Sequence, residues 1–204
     1  MWIDLLTLVS SLGILFMSVI FHEVAHGWTA LYFGDDTAKR RGRLTLNPKV
    51  HLDLFGSILL PFLLALLRQP LLGWAKPVPV NFSYLRDPRV HMIWVALAGP
   101  CTNVLIAVLL SFIARLNLAE GSYLSMVTNY GIVINLVLAV FNMVPIPPLD
   151  GSRVVMGLLP RTAAYYYQRI EPYGIAIVFF ALWLGLFQKG VYPAALLLAK
   201  LIGL

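Results

Sequence analysis

The sequence predicts an all-α polytopic membrane protein, and its composition and the spacing of its apolar stretches indicate this class. Hydrophobic residues make up 60% of the 204-residue chain and charged residues only 12%, with a mean hydropathy of +0.83. Uncharged stretches recur from end to end, which is not typical of a soluble domain of this length. We therefore expect a single compact membrane domain over residues 1–204, with about four to five transmembrane helices.

Four stretches are long enough, or nearly so, to cross a hydrocarbon core, which needs roughly 20 apolar residues. They are Leu5 to Phe21, continuing helically to about Phe33, then Met92 to Ala114, Gly121 to Leu149, and Pro172 to Gln188. Two shorter stretches, Leu54 to Leu67 and Val191 to Leu204, are ambiguous on length alone.

The basic residues indicate which connections lie in the cytoplasm, because cytoplasmic loops near membrane spans collect lysine and arginine. The connections 34–53 and 68–91, with Arg153, Arg161 and Arg169 after Leu149, together carry 12 of the 15 basic residues. The stretch from Leu54 to Leu67 would then start and finish on the same side, so we expect a re-entrant hairpin. Topology and anionic lipid explain the net charge of +6, and no nucleic-acid partner is needed.

The most specific pattern in the sequence is His22-Glu23-Val24-Ala25-His26, an H-E-x-x-H motif in the first apolar stretch. On a helix the two imidazoles lie on one face with the carboxylate of Glu23 beside them, as two zinc ligands and a base require. If this helix starts outside near Asp4, His22 lies about 27 Å along it, near the cytoplasmic edge of the bilayer core. Ionisable side chains at bilayer depth are costly, so this motif predicts a functional site.

A catalytic zinc ion usually takes three protein ligands and leaves one position open. Asp150 is the best candidate for the third ligand, because it follows an apolar stretch that runs toward the cytoplasmic face. Three prolines between Asn142 and Asp150 break the helix there, and irregular backbone at bilayer depth must line a cavity or lie within protein. Capping of a helix or an ion pair with Arg153 is the alternative role for Asp150.

These motifs resemble those of the site-2 protease family of intramembrane zinc metalloproteases, in its minimal form without a PDZ or CBS domain. That family pairs H-E-x-x-H with N-x-x-P-x-P-x-L-D-G on a later helix, and the second motif corresponds here to Asn142 to Gly151. Further stretches resemble the branch without a PDZ domain: Gly42 to Pro48, Gly73 to Val80, and Ala98-Gly99-Pro100 with Asn103.

The resemblance implies that His22, His26 and Asp150 bind one catalytic Zn²⁺ and that Glu23 is the general base. It implies that Asn142 and Asn103 contact the substrate or the transition state, although Asn103 could instead bridge helices as a buried polar residue. The family also carries a small membrane-associated β element, expected here at about residues 39–49, where the sequence alternates polar and apolar residues.

The expected function is therefore cleavage of a peptide bond in or near a transmembrane segment of a membrane-protein or signal-peptide-like substrate. The expected location is the cell membrane of a prokaryote, with the active site near the cytoplasmic face of the bilayer. Two alternatives are a zinc-binding membrane transporter or sensor and a catalytically silent regulator that binds transmembrane helices. A transporter would not need Glu23 between the ligands, and a silent relative would be expected to lack a ligand or the base.

Overall fold

The computed structural model describes residues 5–59, 62–63, 66, 76–116 and 122–202 of the chain. The regular structure of these residues is helical throughout. The α-helices are α1 (Leu5–Tyr32), α2 (Thr37–Arg40), α3 (Pro88–Arg115), α4 (Tyr123–Asn142), α5 (Asp150–Leu158), α6 (Arg161–Gln168), α7 (Gly174–Trp183) and α8 (Tyr192–Leu201). Short 3₁₀ turns cover Pro48–Val50, Phe82–Tyr84 and Glu171–Tyr173, and π-helical stretches cover Leu54–Leu59 and Phe187–Val191.

Three of the described helices, α1, α3 and α4, are long and apolar enough to cross a membrane. They pack against one another and leave large apolar side chains exposed on the outside, including Leu105, Leu109 and Phe112 of α3. An extensive apolar exterior marks a membrane-facing surface. The expectation of an all-helical integral membrane protein is thus confirmed.

The number of spans is established only in part. Beyond the three long helices, Arg161–Trp183 and Phe187–Leu201 form a pair bent by 70°, which adds one span if the pair crosses as a unit. The bend falls inside the predicted stretch from Pro172 to Gln188, at Gly185, whose φ of +94° favours glycine. Length and composition therefore support three or four spans within the described residues.

The predicted re-entrant hairpin from Leu54 to Leu67 lies partly outside the described residues. A π-helical stretch covers Leu54–Leu59 at its start, and most of the remainder is not described. The first three residues of the Gly73 to Val80 motif also lie outside the described residues. The hairpin therefore stays a prediction.

The β element expected at residues 39–49 is not observed. Helix α2 occupies the start of this segment and a 3₁₀ turn its end, with no strand residue between them. The side chain of Arg43 instead connects this segment to residues 76–77. Its Nη2 donates to the carbonyl oxygens of Lys76, at 2.5 Å, and Pro77, at 3.3 Å. Since Pro77 has no backbone N–H to donate to a ladder, contact through a side chain replaces strand pairing here.

A proline-rich connection turns the chain from α4 into α5. Helix α4 ends at Asn142, although the apolar stretch continues to Leu149. The connection contains prolines at positions 145, 147 and 148, and a proline has no N–H with which to continue a helix. The next helix, α5, begins at Asp150, so the break determines where this carboxylate lies.

Both ends of α5 are held by their neighbours. At the first turn, Gly151 lies so close to the carbonyl group of Met143 that a Cβ atom would overlap it. At the last turn, Arg89 at the start of α3 donates from Nε to the carbonyl oxygen of Gly157 at 2.8 Å and from Nη2 to that of Leu159 at 2.6 Å. An arginine at a helix C-terminus satisfies carbonyl groups that have no partner within the helix. Asp150 is thereby fixed relative to the membrane helices.

Candidate metal centre

Three side chains that can bind a metal ion converge where α1 meets the start of α5. The Oδ2 atom of Asp150 lies 3.1 Å from Nε2 of His22 and 3.3 Å from Nε2 of His26. The two Nε2 atoms are 3.0 Å apart. Both histidines are buried, with 5% and 8% of their surface exposed. The third candidate ligand, 124 residues from His26 in sequence, thus reaches the histidine pair.

The second nitrogen of each imidazole identifies the atoms that face the centre of this cluster. Nδ1 of His26 lies 2.6 Å from the carbonyl oxygen of Val95, and Nδ1 of His22 lies 2.6 Å from Oδ1 of Asn103. Because carbonyl oxygens only accept, each Nδ1 carries the hydrogen, and in the neutral ring Nε2 then presents a lone pair.

The cluster therefore consists of three acceptor atoms that face one another. Among the described residues, no donor forms a hydrogen bond to the buried Oδ2 of Asp150. Lone pairs at these distances repel one another unless a cation lies between them, and buried polar groups without partners are costly. Two imidazole nitrogens and one carboxylate oxygen are suitable zinc ligands and leave a fourth position open. The residues present fit a catalytic zinc ion.

The alternative roles of Asp150 do not occur in the structure. The N-cap of α5 is Leu149, and Asp150 is the first helical residue, so its carboxylate does not cap the helix. Arg153 pairs with Glu171 instead, through both terminal nitrogens of its guanidinium group, with Nη1 3.2 Å from Oε2. The carboxylate of Asp150 is directed at the histidines.

Glu23, the predicted base, lies beside the ligands on α1 and is half-buried. Its Oε2 accepts a hydrogen bond of 2.7 Å from the backbone N–H of Val78. Val78 lies between Pro77 and Pro79, and a residue that precedes proline is restricted to extended backbone. An extended segment of chain thus passes next to the carboxylate and orients it.

Asn142 and Asn103, the predicted substrate-binding residues, lie in different surroundings. Asn142 is the last residue of α4 and is half-buried, and its amide donates to the carbonyl oxygen of Leu138 at 3.0 Å. Asn103 is completely buried, with its Oδ1 on His22 and its Nδ2 2.8 Å from Oδ1 of Asn135. Asn103 thus bridges helices behind the metal centre, and contact of Asn142 with substrate stays a prediction.

Sequence reasoning did not identify Asn135 or Ser18, which continue the hydrogen bonds behind His22. Asn135 is completely buried in α4 and Ser18 is 4% exposed in α1. Nδ2 of Asn135 donates to Oγ of Ser18 at 2.9 Å. The sequence does carry one signal for them: both are polar residues in the middle of apolar spans, where a polar side chain rarely lacks a partner.

Gly99 provides the space in which the ligands meet. A Cβ atom built on Gly99 of α3 would lie 2.5 Å from Nε2 of both His22 and His26. We expect Gly99→Ala to abolish zinc binding, although alanine raises helix propensity by about 1 kcal/mol. Zinc content of the purified variant, measured by metal analysis, tests this.

Gly13 of α1 is the matched control, because a Cβ atom there would meet nothing within 4 Å. Gly13→Ala should retain zinc. If Gly99→Ala retained one zinc ion per chain, the described arrangement of the histidines around Gly99 would be contradicted.

The helices and this cluster together define a polytopic membrane protein with a candidate metal-binding site of two buried histidines and one aspartate. The family model described as Peptidase family M50 matches residues 113–185, which include Asp150. YwhC of Bacillus subtilis is 41% identical to this chain over 177 residues. The aligned region covers 83% of this chain and 77% of YwhC. The chain belongs to peptidase family M50, which confirms the family resemblance drawn from the motifs.

Two further relatives match a shorter part of the chain. Rip2 of Mycolicibacterium smegmatis is 35% identical over 138 residues, 66% of this chain and 51% of its own length. MJ0611 of Methanocaldococcus jannaschii is 35% identical over 136 residues, 67% of this chain and 63% of its own length. All three relatives are named, provisionally, as zinc metalloproteases. No solved structure matches the chain.

Proposed function

We propose that this protein is a zinc-dependent endopeptidase that cleaves a peptide bond in or near a transmembrane segment of a membrane-protein substrate. The observation that carries the proposal is the convergence of three acceptor atoms, from His22, His26 and Asp150, on one buried point. Membership of a peptidase family and the names of the relatives support it.

His22, His26 and Asp150 would hold the ion by two Nε2 atoms and one carboxylate oxygen. When bound at such a site, zinc lowers the pKa of its water to about 7 and polarises the carbonyl group of the substrate. The hydrogen bonds from Nδ1 of the two histidines leave both Nε2 lone pairs free to bind the ion. The ligand set is thus oriented before a substrate arrives.

Glu23 is the residue we assign as general base. Its carboxylate would take a proton from the attacking water and deliver it to the amide nitrogen of the leaving segment. The N–H of Val78 bonds to Oε2, so the carboxylate is held in one orientation during both transfers. General acid–base catalysis of this kind contributes about 10²- to 10⁴-fold to a rate.

The substrate must present an extended peptide, because the hydrogen bonds of a transmembrane helix protect its peptide bonds. The described segment that lies against Glu23 runs through Pro77, Val78 and Pro79 and is itself held in an extended form by its prolines. We therefore propose that the unwound substrate lies along this segment, with Asn142 as a further contact. An extended neighbour can bind an extended peptide through its backbone.

The two alternative functions differ in what they need from Glu23. A zinc transporter or sensor needs ligands but no base, and a silent regulator needs neither. In this chain a carboxylate, that of Glu23, lies beside the two histidines and accepts a hydrogen bond from Val78, which favours a role for it as a base. Zinc uptake into protein-containing vesicles without proteolysis would favour a transporter, and binding of a transmembrane helix without cleavage would favour a regulator.

A chelator experiment tests both the metal requirement and the expected position of the site near the cytoplasmic face of the bilayer. Purified protein should contain about one zinc ion per chain, and cleavage of a co-reconstituted single-span substrate should stop when the ion is removed and return with zinc. In membrane vesicles, a chelator that does not cross the bilayer should inhibit only from the cytoplasmic side. Cleavage that persists in metal-free protein would overturn the proposal, and inhibition from the outer side alone would overturn the orientation.

A further inference from the structure

A chain of buried hydrogen bonds connects His22 to the middle of α4. Its members come from three membrane helices: Ser18 and His22 from α1, Asn103 from α3, and Asn135 from α4. Asn103 and Asn135 have no exposed surface. Buried polar groups in a membrane helix are costly unless paired, so a connected set of this size requires a physical reason.

The direction of each hydrogen bond follows from one backbone carbonyl group. The carbonyl oxygen of Gly131 can only accept, so the amide atom of Asn135 that lies 2.8 Å from it is Nδ2. The other amide atom, Oδ1, therefore faces Asn103 and accepts from its Nδ2 at 2.8 Å. Oδ1 of Asn103 is then left to face Nδ1 of His22. Nδ2 of Asn103 also lies 3.5 Å from the carbonyl oxygen of Ser18, at the limit of a hydrogen bond, so Asn135 provides the shorter of the two contacts that orient Asn103.

The two zinc-binding histidines differ in how their rings are held. Nδ1 of His26 donates to the backbone carbonyl oxygen of Val95. A side-chain substitution at Val95 would leave this carbonyl group in place. Nδ1 of His22 donates to a side-chain amide, and the two ends of an amide group have nearly the same shape. The amide of Asn103 is therefore the adjustable contact of the metal centre.

We propose that Asn135 is a positioning residue for the metal centre: through Asn103 it holds His22 with its hydrogen on Nδ1 and its Nε2 directed at the ion. Without Asn135, Nδ2 of Asn103 loses its hydrogen bond of 2.8 Å and keeps only the longer contact of 3.5 Å to the carbonyl oxygen of Ser18. The amide can then turn over and present Nδ2 to His22. The imidazole then carries its hydrogen on Nε2, which points at Asp150 and obstructs the ion. This inference rests on zinc binding as proposed above and adds a residue that does not touch the ion.

Zinc affinity of purified Asn135→Leu, measured by competition with a chelator of known affinity, tests the proposal. We expect the dissociation constant for zinc to rise by about 10- to 100-fold, the effect typical of losing the hydrogen-bond partner of a metal-binding histidine, because the turned amide of Asn103 no longer offers Oδ1 to Nδ1 of His22. The absorption bands of the cobalt-substituted protein should also change, because the orientation of one imidazole changes. Neither readout depends on proteolysis.

Thr128→Val in the same helix is the matched control. Thr128 is also buried, but its hydroxyl group donates only to the carbonyl oxygen of Leu124 one turn earlier. The substitution removes a buried polar group from α4 without touching the chain of hydrogen bonds to His22. Zinc affinity should stay at the wild-type value.

A second substitution separates positioning from a general structural role. Adding Asn103→Asp to Asn135→Leu places a carboxylate beside Nδ1 of His22, and an ionised carboxylate can only accept. The hydrogen is then restored to Nδ1 without Asn135, so most of the lost zinc affinity should return. If Asn135→Leu does not fold, Asn135→Ser replaces it in both measurements.

Four outcomes distinguish the possibilities. Weakened zinc binding that the added carboxylate restores supports the proposal. Unchanged zinc affinity in folded Asn135→Leu or Asn135→Ser overturns it, and so does a loss that Asn103→Asp fails to restore while Thr128→Val behaves as wild type. Absence of zinc from the wild-type protein would instead contradict the proposed function itself.

Discussion

Glu23→Gln is expected to lower the rate of substrate cleavage by about 10²- to 10⁴-fold, the usual contribution of a general base, while zinc content stays unchanged. Glutamine has nearly the shape of glutamate, and its amide oxygen can still accept the hydrogen bond from Val78. It cannot take up a proton from water. Cleavage of a reconstituted single-span substrate and metal analysis of the same preparation measure the two effects together.

Asp36→Asn is a suitable control for loss of a carboxylate, because Asp36 forms an exposed ion pair with Arg40. Exposed pairs of this kind contribute about 0–1 kcal/mol to stability, so cleavage should stay at the wild-type rate. If Glu23→Gln cleaved as fast as the wild type with zinc bound, Glu23 would not be the base.

Asp150→Ala is expected to remove both zinc and cleavage, which separates the role of a ligand from that of the base. Two imidazoles alone do not complete a catalytic zinc site, which takes three protein ligands. Metal analysis should find almost no zinc in the variant, and added zinc should not restore cleavage.

Metal-free Asp150→Asn provides the test of folding for this second prediction. The side-chain amide introduced at position 150 can donate to one histidine Nε2, which removes an unfavourable contact between two acceptor atoms. The unfolding temperature of the variant should therefore be no lower than that of metal-free wild-type protein. Thermal unfolding in the presence of a chelator measures this. Stoichiometric zinc in Asp150→Ala would show that the third ligand is another residue.

The parts of the fold that could be predicted from the sequence are those determined by local patterns. The long apolar stretches predict α1 and α3, and α3 begins where Asp87 caps it and Pro88 occupies its first turn. The prolines after Asn142 predict the helix break before Asp150. The spacing of His22 and His26 places both imidazoles on one face of α1.

Other features depend on contacts between residues far apart in sequence. The alternation from Arg43 to Leu46 suggests a strand, yet the guanidinium group of Arg43 bonds to the backbone of Lys76 and Pro77 instead. The hydrogen bond from Val78 to Glu23 joins segments 55 residues apart. Such pairings leave no periodic signal, so a single sequence does not reveal them.

Asn135 illustrates the same limit within the metal centre. It lies 32 residues from Asn103 and 117 residues from Ser18 in sequence, and no spacing rule connects the three. A buried asparagine in an apolar span indicates a polar partner, but only the packing of α1, α3 and α4 shows that the partner leads to His22. The convergence of the candidate ligands was therefore predictable, and the buried residues hydrogen-bonded behind them were not.

Mapping of new peptide termini tests the central claim most directly. Purified wild-type protein and Glu23→Gln would each be reconstituted with single-span membrane proteins, and the products would be identified by mass spectrometry. A zinc-dependent endopeptidase should generate new termini within or beside the membrane segment, in the wild type only and only with zinc present. Stoichiometric zinc without new termini, or the same termini from Glu23→Gln, would contradict the account.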